Sequence, residues 1–256
     1  DLSGLWVSSK GAISVKGIDA YSNGLYGAYL DNHEGVGGVT VTTTSTWTGN
    51  GFNENTSSGL YILSAGAVSM KNIKAIGNGA DGIFVDNTSG TSPVTYQSTG
   101  SIFHLTDNVS VGLYIFSNGN VTLNNQYGLN SDNNHGNYGI YINNSSSSTP
   151  RYVKLINVVA SNNGNDTVGD GIYVDSSGYI YAKSLTAEGN DGNGAYFDST
   201  AGSISITGGY FWSNGATGLT ALSNGSITWK FGSAEGNGST GASLINTTGS
   251  GSVTVA

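Results

Sequence analysis

Side chains able to do chemistry are few in this chain. Its 256 residues hold 16 acidic and 8 basic side chains, 3 histidines and no cysteine. Two glycine runs, Gly77-x-Gly79-x-x-Gly82 and Gly236-x-Gly238-x-x-Gly241, match the dinucleotide fingerprint. That fingerprint holds phosphate only where it opens a helix, and no helical pattern follows either run. Asp31, His33 and Glu34 cluster, as do Asp132 and His135, but neither group is a complete ligand set. Asp31, Asp86 and Asp198 hold one repeated position, with Asn143 between them and Asp175 in the same position beside Asp198. Calcium between Asp175 and Asp198 is the one cofactor on offer. It needs about six to eight oxygens, and turn capping suits these positions better. Glu188 and Glu235 recur two repeats apart, roughly 10 Å on a stacked fold, which is wider than the usual glycosidase pair. No catalytic residue is assigned.

These residues share positions because the chain repeats. A tetrapeptide of Gly, aliphatic, usually aromatic, aliphatic begins at Gly4, Gly27, Gly59, Gly82, Gly112, Gly139, Gly171 and Gly194, with weaker copies at Gly218 and Gly241. The intervals run from 23 to 32 residues, the period of a solenoid. Between tetrapeptides lies an apolar-x-apolar strand, from Ile13/Val15 and Val39/Val41 to Ile227/Trp229 and Val253/Val255. Period-two alternation puts each pair on one face.

An Asn stands in register before each tetrapeptide after the first. Asn23, Asn78, Asn108, Asn190, Asn214 and Asn237 lie four residues before the glycine, and Asn50, Asn130 and Asn162 lie nine before it. Stacked Asn amides can bond one another along a cross-β axis, so these nine are expected to form a ladder. The residues three before them alternate small and large, from Ala20, Trp47, Ala75 and Leu105 through Tyr127 and Val159 to Ala187, Phe211 and Ala234. This suggests large side chains filling space left by small neighbours. The corners after the tetrapeptide also alternate, short ones such as Leu63-Ser64-Ala65-Gly66 with longer ones such as the stretch from Asp86 to Pro93.

Composition agrees. Forty-one glycines, 2 prolines and 9% charged residues suit short strands and turns rather than helices. The expected fold is all-β: a single-stranded parallel β-helix of about nine to ten rungs, three short strands per rung, with residues 1–256 as one domain. The net charge of −8 argues against nucleic acid, and no apolar run approaches a membrane span.

With these residues the chain resembles the right-handed parallel β-helix repeat superfamily, over essentially its whole length. Its Asn ladder and strands such as Gly171-Ile172-Tyr173-Val174 look most like long repeat proteins of microbial cell surfaces. The superfamily also contains pectate lyases, polygalacturonases and tailspikes. Its enzymes use clustered Asp with Arg or Lys, and the lone Arg151 has no such cluster. The resemblance therefore implies an extracellular or cell-surface structural solenoid, a filament or adhesin. A polysaccharide-binding or polysaccharide-degrading β-helix is the alternative. The partners expected are other copies of itself or other surface proteins, with polysaccharide under the alternative. The chain starts just before a Gly strand and stops after Val253-Thr254-Val255, so a segment or protomer of a larger assembly is expected.

The tetrapeptide supplies the candidate surface. Its second and fourth residues are aliphatic and belong inside, so the third faces out: Trp6, Tyr29, Tyr61, Phe84, Tyr114, Tyr141, Tyr173 and Tyr196. With rungs about 4.8 Å apart, they form an aromatic stripe for contact with another chain or with sugar rings. The outward column of the other strand, with Ser14, Thr40, Ser69, Thr95 and Thr122, would suit ice only if flat and regular. The next column carries Lys16, Lys71, Lys183 and Lys230 and is neither.

Overall fold

The computed structural model describes residues 2–43, 50–100, 103–164, 169–246 and 249–256. Among them every regular element is a strand. Ten Gly strands, from Leu5–Ser8 to Ala242–Asn246, form one parallel sheet in chain order. The first strands, from Ile13–Lys16 to Val253–Val255, form a second, also in chain order. Middle strands complete each rung. Asp19–Tyr21, Asn50–Asn53 and Ile73–Lys74 make a small sheet of their own. From Val121 onward first and middle strands run on as single bent elements, such as Val153–Ser161 and Ile180–Glu188. The chain is a parallel β-solenoid.

The core is one continuous column. The first-strand pairs are buried from Ile13/Val15 to Ile227/Trp229, as are the inward residues of the Gly strands from Ala28 and Leu30 to Leu219 and Ala221. Val253 and Val255 lie on the last strand and are exposed. Tyr96 is wholly buried and places its hydroxyl within the core, where it donates to the carbonyl of Ile73 at 3.0 Å.

The Asn ladder exists, but three of its members differ from those expected. It comprises Asn23, Asn55, Asn78, Asn108, Asn134, Asn163, Asn190, Asn214 and Asn237. In every member but the last, the side-chain Nδ2 donates to the Oδ1 of the next rung's Asn at 2.8–3.0 Å. The backbone N–H donates to that same oxygen. From Asn55 onward the second Nδ2 hydrogen reaches a middle-strand carbonyl of the rung before. Each buried amide in the interior of the ladder is thus satisfied.

Asn50, Asn130 and Asn162 are not ladder members. Asn50 opens a middle strand and accepts from the Ile18 amide at 3.0 Å. Asn130 lies within the strand Val121–Asp132. Asn162 immediately precedes the true member, in a left-handed conformation (φ 55°). That conformation is general: the residues before the nine ladder members, from Ser22 and Glu54 to Ser213 and Gly236, all have φ between 53° and 67°. The left-handed residue turns the chain sharply and aims the following amide along the axis.

The packing series shifts with the ladder. The residues three before each member are Ala20, Phe52, Ala75, Leu105, Ser131, Ala160, Ala187, Phe211 and Ala234. Small and large alternate in the first four and around Phe211, but Ser131, Ala160 and Ala187 stand in a row. Tyr127 is exposed and Val159 half-buried, so neither belongs to the interior; Trp47 lies outside the described residues.

A second polar column, buried as far as Ser223, closes the corner after each Gly strand from the second onward. It runs Asn32, Ser64, Asn87, Ser117, Asn144, Ser176, Ser199, Ser223, Asn246, in register wherever neighbours pair. Ser occurs where four or five residues separate it from the next first strand, as from Ser117 to Val121; Asn occurs where seven or nine do, as from Asn87 to Val94 and from Asn144 to Val153. The reason is reach. Ser64 Oγ donates to Gly66 two residues on, whereas Asn246 Nδ2 spans five residues to the carbonyl of Gly251.

The repeat glycines are required by the ladder. A Cβ on Gly139 would lie 2.5 Å from Asn163 Nδ2 and 2.8 Å from the Gly171 carbonyl. On Gly241 the nearest atom would be the Ala234 carbonyl at 3.0 Å. Gly139→Ala is expected to lower stability by about 1–3 kcal/mol, and Gly241→Ala by clearly less, read from urea midpoints. Phe231 takes a left-handed conformation (φ 55°) where the rung before has Gly208, and the residue is 76% exposed. Relief of that conformation, offset by glycine's greater freedom when unfolded, should make Phe231→Gly more stable by up to about 1 kcal/mol. Thermal melting checks it.

Candidate functional site

The Gly-strand register brings all eight expected aromatics into one column. Trp6, Tyr29, Tyr61, Phe84, Tyr114, Tyr141, Tyr173 and Tyr196 pair successively, and Thr220 and Ser243 continue the line. Trp6 is exposed and the others are half-buried.

Their mutual geometry decides what they can offer. Trp6, Tyr29, Tyr61 and Phe84 stack face to face, with centroids 4.0–5.3 Å apart and planes within 14°. Tyr141, Tyr173 and Tyr196 stack likewise, 5.0–5.1 Å apart and tilted by 4°. Between the two runs the stack breaks: Phe84–Tyr114 and Tyr114–Tyr141 both cross at 88°. Phe116 causes the break. It occupies the next outward position of the same strand and sits 4.9 Å from Tyr114, 6.3 Å from Phe84 and 5.7 Å from Tyr141. Within each stacked run the inner rings have their faces covered by their neighbours and turn edges outward, while Trp6 and Tyr196 at the outer ends have a ring on one side only.

Three rings were missed by the tetrapeptide rule. Tyr26 and Tyr138 precede the repeat glycine and wedge beside the stack, 5.1–5.4 Å and 4.9–5.2 Å from its members. Phe116 is the third. Alternation carried one position beyond the tetrapeptide on either side would have found them. Burial raises the pKa of Tyr29, Tyr61, Tyr114, Tyr173 and Tyr196, and nearby Asp31, Asp175 and Asp198 push Tyr29, Tyr173 and Tyr196 further.

Beside the stripe runs the column of Asp31, Asp86, Asn143, Asp175 and Asp198. Asp86 caps its corner, accepting from the Thr88 amide at 2.9 Å and hydroxyl at 2.6 Å. Asn143 does the same with Ser145. Asp31 accepts from the His33 amide and meets His33 Nδ1 at 2.5 Å, which raises the imidazole pKa. Asp175 and Asp198 are direct register partners. Burial raises the pKa of Asp198 and the charge of Asp175 adds to it. These two carboxylates are short of a calcium shell, and no group of three or more His, Cys, Asp or Glu among the described residues could hold a metal.

The remaining candidates are dispersed. Glu188 and Glu235 share a column with Trp212 between them. Arg151 donates its backbone amide to Ser177 Oγ at the corner before a first strand. Gly77 and Gly236 are the left-handed residues before ladder Asn, which accounts for both fingerprint matches.

No family model, curated protein or solved structure compared with this chain matches it. The class defined by the fold is therefore the parallel β-solenoid with an Asn ladder, and what it does must be argued from its surface.

Asp132 gives a pH handle on the rung edge. It accepts from the Ser161 amide at 3.0 Å, but burial outweighs this and lifts its carboxyl to about 6. A raised carboxyl pKa means that ionisation opposes folding, so this contribution is complete below about pH 4 and is lost as pH rises through about 6. Asp132→Asn keeps the accepting carbonyl and cannot ionise. It should be the more stable form at pH 8, with a smaller loss between pH 4 and 8, in urea unfolding across that range.

Proposed function

We propose that this chain is a non-enzymatic structural solenoid of a microbial cell surface or extracellular filament, and that the aromatic stripe is the surface through which it associates laterally. One observation carries the reading: eleven rings, counting Tyr26, Phe116 and Tyr138, gather on one outward face. An apolar stripe of this length is uncommon on a free monomer, and removing it from water is worth roughly 25 cal/mol per Å². The resemblance to the right-handed parallel β-helix superfamily, with its surface proteins, supports the setting.

Polysaccharide binding is the competing reading, and it has one local feature in its favour. At the break, Tyr114 and Tyr138 border a groove with Val109, Val111 and His135, and Tyr114 crosses its neighbours edge to face instead of stacking on them. Elsewhere the inner rings of each stacked run have lost the open faces on which sugars sit.

Replacing Tyr114 and Tyr141 with Ser should weaken self-association about tenfold or more, as loss of central aromatic anchors does, while far-ultraviolet circular dichroism stays that of the parent. Sedimentation velocity reads the first effect. An unchanged association constant would reduce the stripe to a stacking ladder, and glycan retention lost in the same variant would favour the polysaccharide reading.

A further inference from the structure

Charge is segregated between the two large sheets. The Gly strands carry Asp31, Asp86, Asp170, Asp175 and Asp198 and no Lys or Arg. The first strands carry Lys16, Lys71, Lys154, Lys183 and Lys230, up to the bend, and no Asp or Glu. Five of the chain's seven lysines therefore share one face. Lys10–Glu34 and His33–Asp31 form ion pairs among the described residues, and neither involves these five. Lys154 lies over the Tyr181 ring at 5.8 Å.

The axial order of these charges matches. Numbering Gly strands from Leu5–Ser8, Asp31, Asp86, Asp175 and Asp198 fall on the second, fourth, seventh and eighth. Numbering first strands from Ile13–Lys16, Lys16, Lys71, Lys154 and Lys183 fall on the first, third, sixth and seventh, with Lys230 on the ninth. The intervals are two, three and one in both series. A shift of one rung, about 4.8 Å, sets all four aspartates at the axial level of a lysine, three of them at the column of Lys16, Lys71 and Lys183 and one at Lys154, which stands two residues to the side of that column. Other parallel shifts match at most two, and antiparallel ones at most three. Shape agrees as well. Most outward neighbours of the lysines are small, including Ser14, Thr40, Ser69, Thr95 and Thr122, which leaves room for the protruding rings.

We propose that a second copy of this chain docks in parallel, staggered by one rung, with its lysine face on the acidic aromatic face of the first. The inference rests on the lateral association proposed above and names the two surfaces that meet. The contact is heterologous, so each copy keeps one face of each kind free and the array grows rather than closing as a symmetric dimer. Facing lysines also relieve the repulsion between Asp175 and Asp198, which are adjacent in register.

The test is sedimentation velocity of the 256-residue chain at about 20 mM and about 1 M NaCl, where screening lengths differ severalfold, with circular dichroism confirming the fold of each variant. The parent should associate at low salt, with a dissociation constant about tenfold or more higher at high salt. Asp175→Lys with Asp198→Lys should sediment as monomer, as should Lys154→Glu with Lys183→Glu. An equimolar mixture of the two double variants should associate again, since each then offers a complement to the other. Association that survives both reversals, or a mixture that stays monomeric, overturns the pairing; if the Tyr114 and Tyr141 replacements still weaken association, self-association through the stripe stands without it. A parent that is monomeric at low salt overturns the pairing and self-association together.

Discussion

Everything in this solenoid depends on one contact repeated from rung to rung: an asparagine amide lying over a glycine. The Asn carbonyl takes two hydrogens from the rung before, and its amide gives one to the next Asn and one to a strand carbonyl. The amide plane fills the space a Cβ would occupy on the glycine of the preceding rung, as Asn163 does at Gly139. Glycine, amide and the left-handed residue before it therefore form one unit. The bonds cross rung boundaries, so no rung satisfies itself. Stability is shared between neighbours, as expected for a one-dimensional stack.

This contact also explains which parts of the structure were legible in the sequence. Apolar pairs and Gly strands obey a period of two, so the first-strand core and all eight rings from Trp6 to Tyr196 could be placed from residue type alone. Six ladder members, among them Asn78 and Asn190, stand at a constant distance before the glycine. Asn55, Asn134 and Asn163 escaped for two reasons. Asn-rich turns supply decoys, and counting back from the glycine placed extra residues on one fixed side of the Asn. In the rung of Asn55 the extra residues of the sequence instead come before the middle strand Asn50–Asn53. The constant feature is the left-handed residue, and backbone sign is hidden when Glu54 or Ser213 fills the place as readily as Gly77. Of the candidate site, the stripe was readable, while its break was not, because it depends on how Phe116 fits between rings.

The surface is ordered by the same rung spacing as the interior. Parallel, in-register strands turn each outward position into a column, so a preference for aromatic, acidic or basic residues at one place in the repeat becomes a band along the axis. The central break in the ring stack, where Tyr114 crosses Phe84 and Tyr141 nearly at right angles, interrupts that uniformity.

The Ser and Asn column at the outer corners has a consequence for change in the chain. A corner's length is matched by a single buried side chain: serine for a tight passage, asparagine for a wide one. Insertion of residues at such a corner disturbs neither the Asn–Gly ladder nor the core, provided the closing residue is exchanged at the same time. Ser117 stands at a tight corner between Asn87 and Asn144, which serve wide ones. Each corner is thus a port with its own fitting, and a foreign loop could be grafted there by a paired exchange of one internal residue.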